Sequence, residues 1–286
     1  MKQLSLIFSA ALILVTLGSS LNAQVLTPTP RDGVFDKIHY PNRRVVPYAH
    51  MREADVMFQR RVWRMIDLRE KINQTLYYPT KPTNLRKNLI TVIMDAVLTE
   101  QSVRAYDPML GDDFKAEMTT AEVANIGVRR DSMQMQRPYP PYDWYDTVIV
   151  TSFDPSNVKQ YRLKEDWTFE KQRSVLEPRI IGICPLMAVI DPNTGEFRDY
   201  KQMFWLYFPE LRKVLINEEV YNPYNFGQRL TYDDLFMKRR FSSLIYKVDN
   251  TYDRRIEDYV KGLDALLEAE DIKNTLMDYE HNLWEQ

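Results

Sequence analysis

Few residues in this chain combine the type and spacing that chemistry needs. Cys184 is the only cysteine, so an intramolecular disulfide is excluded and the core alone must hold the fold. It sits in the apolar run Ile180–Ile190, where a buried structural thiol is expected rather than a nucleophile. The three histidines, His39, His50 and His281, share no i,i+4 spacing, and with one cysteine no zinc cluster of familiar spacing can form. Asp191-Pro192-Asn193-Thr194-Gly195-Glu196 offers oxygens but is too short for an EF-hand loop and reads as a turn. The acidic pairs Glu165-Asp166 and Glu218-Glu219 are adjacent, so in a strand their side chains point to opposite faces. No Gly-x-Ser-x-Gly elbow and no glycine-rich phosphate loop occurs. No catalytic residue, metal ligand or cofactor is assigned, and the residues point to a protein that binds other proteins. An exported envelope-acting hydrolase and a soluble ligand-binding module are the alternatives.

Charge narrows the partners. Lys and Arg number 38 against 40 Asp and Glu, a net charge of -2, so nothing draws the whole chain to nucleic acid. The basic pairs, such as Arg43-Arg44 and Arg60-Arg61, are separated by acidic stretches and suit solvated faces or the steering of a protein partner. Met1-Lys2 followed by the apolar run Leu4–Leu17 and the small residues up to Ala23 reads as a secretory signal peptide over residues 1–23. Cleavage before Gln24 would leave a soluble chain beyond the inner membrane.

The elements that must carry any binding surface follow from periodicity. Residues 24–49, with Pro28, Pro30, Pro41 and Pro47, read as an extended arm whose apolar residues could dock on a neighbour. Residues 50–143 read as mainly helical. Phe58, Val62, Met65, Ile66, Ile72 and Leu76 recur at steps of three and four, which predicts an amphipathic helix over 52–76. A second helix is expected over 85–103 and a short one after the Thr119-Thr120-Ala121-Glu122 cap. The Pro- and Tyr-rich stretch 133–144 reads as a boundary or an interface loop. Residues 144–286 read as mixed: β-branched runs at 145–151 and 180–190, a helix begun by Pro209, another capped by Thr231, and a helical C-terminus over 252–284. The expected fold is α+β, with amphipathic helices flanking a small antiparallel sheet and an extended N-terminal arm. The two regions either stand apart or form one continuous domain.

The stretch Arg43–Lys71 resembles the GldN gliding motility family, called PorN in non-gliding relatives. The most specific feature is Arg52-Glu53-Ala54-Asp55, then Met57-Phe58, then Arg61-Val62-Trp63-Arg64. The continuation Ile72–Pro79, the run Arg179–Pro185 and the start Thr231–Phe236 fit the same pattern. The resemblance implies a periplasmic, non-enzymatic subunit of the type IX protein secretion system of Bacteroidota. It implies a ring associated with the outer membrane through a GldK/PorK-like lipoprotein and contacted by the periplasmic region of a GldM/PorM-like motor protein. The ring would support protein export and gliding motility. The family has no established catalytic residue to transfer. The expected interface is the arm over 31–49, with Phe35, Tyr40, Arg43, Arg44 and Tyr48 docking on the lipoprotein or a neighbouring copy, and Trp63 and Arg64 stabilising an adjacent surface. A place in the core is the competing reading of Trp63.

Overall fold

A computed structural model describes residues 43–284 except 84, 85, 141, 192, 193, 223 and 226, all within one unit, Pro41–Gln286. The segment expected as a signal peptide and most of the expected arm, with Phe35 and Tyr40, lie outside the described residues.

The centre is an antiparallel sheet. Strands β1 (Val56–Asp67), β5 (Val158–Glu170) and β6 (Val175–Ile190) lie side by side, flanked by β11 (Leu244–Val248) at one edge. On the far side of β6 run β7 (Phe197–Gln202) and β8 (Trp205–Tyr207), and β2 (Ala105–Tyr106) closes on β8. The helices are α1 (Gln74–Tyr77), α2 (Leu89–Met94), α3 (Thr120–Asn125), α4 (Phe208–Leu215), α5 (Tyr232–Met237) and α6 (Leu263–Trp284). The fold is α+β, as expected.

The helix expected over 52–76 is instead the long strand β1. Valine, phenylalanine, tryptophan and isoleucine favour the pleat, and β1 is clamped between β5 and β11. Its alternation is masked because Arg60 and Arg64 share a face with Phe58, Val62 and Ile66, leaving apolar spacings that mimic a helical stripe. Elsewhere local caps set the helix starts. Asn88 Oδ1 accepts from Thr91 N (3.0 Å), Thr231 Oγ1 accepts from Asp234 N (3.1 Å), and Pro209 opens α4.

One face of the sheet carries the main core. Tyr161, Leu163, Ile183 and Leu206 meet Ile90 and Ile93 of α2, Leu211 and Leu215 of α4, and Phe236 of α5. At the β1–β11 end, Val62, Ile245 and Val248 pack with Ala269 and Leu276 of α6, and Phe58 stacks on Tyr279 with ring centroids 4.1 Å apart. The opposite face is partly roofed by the segment 107–118. Phe114 lies over Gly182, where a side chain's first carbon would stand 2.6 Å from the ring, so only glycine lets the roof settle. A separate two-stranded sheet, β3 (Arg129–Gln136) with β4 (Trp144–Thr151), projects from this framework, and β9 (Glu219–Val220) pairs with β10 (Leu230–Thr231).

Candidate partner-binding surface

The β3–β4 hairpin is anchored at its base. Helix α3 begins with a capping box in which Thr119 Oγ1 accepts from Glu122 N and Glu122 Oε2 accepts from Thr119 N (2.8 Å). Val123 of that helix is buried, and Ile126 and Phe153 pack against the same core. Between helix and strand, Gly127 takes φ +78° beneath the Phe153 ring, where a first side-chain carbon would approach within 2.7 Å. The chain therefore leaves and re-enters the core on either side of the hairpin.

Beyond that base, among the described residues, the two strands pair only with each other, in continuous register from Arg129↔Thr151 to Gln136↔Trp144. The connection is tied by Arg137 N to Asp143 O, Tyr142 N to Tyr139 O, and Gln136 Nε2 to Tyr142 O, each 3.0 Å. At about 3.4 Å per residue, eight paired residues reach roughly 27 Å. Opposed residues share a face, so Trp144, Val148 and Val150 line one side while Tyr145, Ile149, Met133 and Met135 line the other. Both sides are open: Trp144 is 66% exposed, Val148 60% and Val150 59%, and Ile149 and Met133 are exposed as well. A lone two-stranded hairpin is marginal in water, and unpaired edges beside exposed apolar side chains invite another chain. The stretch expected as a loop over 133–144 is thus the end of β3, the turn and the first residue of β4. The run expected as extended at 145–151 is almost all of β4. The sequence signal was present in Trp144–Thr151, which has β-branched residues on both faces and no polar face to turn towards water.

The expected interface residues lie elsewhere. Arg43 Nη1 donates to Asp234 Oδ2 of α5 at 2.9 Å, while Arg44 is exposed. Tyr48 is half-buried, its ring 4.8 Å from the Arg212 guanidinium and 5.3 Å from that of Arg179, and burial raises its phenol pKa despite both arginines. Residues 43–48 thus form a strap held to their own chain. Trp63 is 6% exposed, clusters with Tyr106, Cys184 and Trp205, and donates from Nε1 to Asp112 Oδ2 at 2.5 Å. Arg64 is 8% exposed, and its Nε donates to Ser243 Oγ (2.8 Å) and its Nη2 to the Ser243 carbonyl (3.1 Å). Burial lowers its pKa. The sheet needs both side chains internally, so the structure corrects the adjacent-surface role expected for them and puts Trp63 in the core.

No cluster of three or more His, Cys, Asp or Glu side chains among the described residues could hold a metal ion. Cys184 is fully buried, and burial pushes its thiol up to about 12, far from a reactive thiolate. Among the described residues no helix is long and apolar enough to cross a membrane.

The profile of the gliding motility associated protein GldN matches residues 51–285. The chain belongs to the GldN family. That membership supports a structural role associated with type IX secretion and a general association with the outer membrane. The GldN match spans the residues of the central sheet, the hairpin and the C-terminal helix. No individually curated protein matches the sequence.

Proposed function

We propose that this GldN-family chain is an exported, non-enzymatic subunit of the type IX secretion system that works in the periplasm by binding other proteins. In this reading it forms an outer-membrane-associated ring with a GldK/PorK-like lipoprotein and neighbouring copies. The ring meets the periplasmic region of a GldM/PorM-like motor protein and supports protein export and gliding motility. The observation that carries the docking assignment is the β3–β4 hairpin, fixed at its base, with exposed apolar side chains on both faces and, among the described residues, no strand paired at either outer edge. Rigid attachment limits the ordering cost of association, and exposed aromatic and aliphatic side chains supply the area to be covered. The arm over 31–42, with Phe35 and Tyr40, keeps its expected role as a second hook. Arg43 and Tyr48 instead fasten the strap to their own chain.

The test replaces Val148 and Val150 by lysine and Trp144 by alanine, then isolates the chain from native envelopes. The expected result is loss of the lipoprotein partner and of large assemblies, with the free chain still folded. Recovery of the substituted chain in complexes like those of the native one would end the hairpin assignment.

A further inference from the structure

The C-terminal helix α6 has two faces of opposite use. Ala269, Ile272, Leu276 and Tyr279 lie against the β1–β11 end of the sheet. The outer face begins with leucine: Leu263 is 71% exposed and Leu267 56%, and Met277 is exposed further along. Steps of four and three, from Leu263 through Leu267, Glu270 and Asn274 to Met277, set these side chains in one line along about 21 Å of helix. This is the spacing by which one helix packs on another. Leu266, beside Leu263, opens on a cleft of about 410 Å³ between α6 and β11, lined also by Met65, Leu244, Tyr246 and Ile256. The stripe thus starts next to a hollow that a bulky apolar side chain can enter.

Charge selects what can lie there. Asp264, Asp271 and Asp278 recur every seven residues along one border of the stripe, all exposed and none in an ion pair among the described residues. Glu268 stands on the same side and accepts from the Tyr259 hydroxyl (3.3 Å), while Glu270 is already paired with Lys273 (2.8 Å). A second copy of this helix is a poor cover. Laid antiparallel, it would bring the two Asp271 side chains face to face and set each Asp264 opposite an Asp278. Laid parallel, it would oppose the two Glu270 side chains within the stripe. A helix bordered by lysine or arginine meets neither obstacle and finds a carboxylate at every second turn.

We propose that the outer face of α6 receives a basic amphipathic helix of a partner protein. Its apolar face covers the leucine stripe, and its cations meet Asp264, Asp271 and Asp278. This surface is separate from the hairpin and does not depend on it. The chain from Gln24 onward would be titrated with a three-heptad peptide carrying leucine along its apolar face and lysine along both borders, and with a twin carrying glutamate in place of lysine. The lysine peptide should gain helix on binding and bind at least tenfold more tightly than its twin, with the preference shrinking as salt rises. Leu263→Lys with Leu267→Lys should weaken that binding tenfold or more. Asp264→Asn, Asp271→Asn and Asp278→Asn together should do the same, whereas Val148→Lys on the hairpin should leave it unchanged. All the substituted side chains on α6 are exposed, so both variants should stay folded, and they probe the apolar and the charged half of the surface separately. Equal binding of the two peptides, native-like binding by either α6 variant, or a loss caused by Val148→Lys would each overturn the assignment. So would self-association of the chain that Leu263→Lys with Leu267→Lys abolishes, because a second copy would then be the occupant.

Discussion

Strands β5 and β4 invert the usual relation between polarity and burial. β5 reads Val-Lys-Gln-Tyr-Arg-Leu-Lys-Glu-Asp-Trp-Thr-Phe-Glu, yet Gln160, Lys164, Glu165 and Glu170 are all buried. β4 reads Trp-Tyr-Asp-Thr-Val-Ile-Val-Thr, yet nearly every residue is exposed. In β5 the buried charges are tolerated because partners are supplied from the same chain. Glu165 accepts from Arg239 Nη2 at 2.9 and 3.0 Å and from Trp167 Nε1 at 3.2 Å, and Lys164 is held by Asp112. In β4 the apolar area has no covering element within the described chain. Most buried polar groups of β5 find partners within the chain, the Tyr161 hydroxyl and Arg162 Nε excepted, whereas the apolar side chains of β4 are left exposed among the described residues.

The comparison is sharpest where self-sufficiency is removed. Behind the strap, Arg212 and Asp233 form a buried pair with contacts of 2.7 and 3.2 Å. Asp233→Ala would strand the guanidinium in the interior and should cost about 3–5 kcal/mol in denaturant unfolding. Leu163→Ala, in the core face of β5, should cost about 2–5 kcal/mol for the cavity it leaves. A loss below about 1 kcal/mol from either change would mean that the framework is looser than its packing implies. On the roofed side, Gly182→Ala would set a methyl 2.6 Å from the Phe114 ring, and overpacking of this kind costs about 1–3 kcal/mol. Phe114→Leu combined with Gly182→Ala should recover part of that loss, and failure to recover any would show that the strain lies elsewhere.

What was legible in the sequence divides along the same line. Helix starts at Thr119, Pro209 and Thr231 were readable because capping is settled within a few residues. The β6–β7 hairpin was readable from its apolar run and turn, and Cys184 was correctly expected to be buried. β1 was not legible, because Arg60 and Arg64 interrupt the apolar face and the decisive ladder partners lie about a hundred residues and more away in β5 and β11. Trp63 and Arg64 look like interface anchors by residue type, and only the positions of Asp112, Lys247 and Ser243 show that their partners are internal.

The strap offers a smaller effect with a definite pH sign. Burial would raise the pKa of Asp234, but hydrogen bonds from Arg43 and Thr231 outweigh it and hold the carboxyl below its ordinary range. A depressed folded-state pKa contributes stability above the unfolded value, lost as pH falls through the folded one. Arg43→Gln should therefore cost about 0.2–1 kcal/mol near neutral pH, the range for a solvent-screened pair. The gap from the native chain should close as the carboxylate protonates in acid. A gap that widens in acid would show that Arg43 acts through something other than Asp234.

The smallest predicted effect tests β4 most directly. Val148→Thr with Val150→Thr keeps two β-branched side chains and so preserves the pleat, while removing one methyl's worth of apolar character at each position. If those faces meet only water in the free chain, the unfolding midpoint should stay within about 0.5 kcal/mol of the native value. The same pair placed at buried valines, Val62 and Val158, would leave hydroxyls in the core and cost well over 1 kcal/mol, so the contrast between strands is measurable in one experiment. A loss above 1 kcal/mol at Val148 and Val150 would mean that the hairpin is already covered by its own chain. A native-like midpoint together with weakened recovery of the envelope complex would separate the surface that folds the protein from the surface that assembles it.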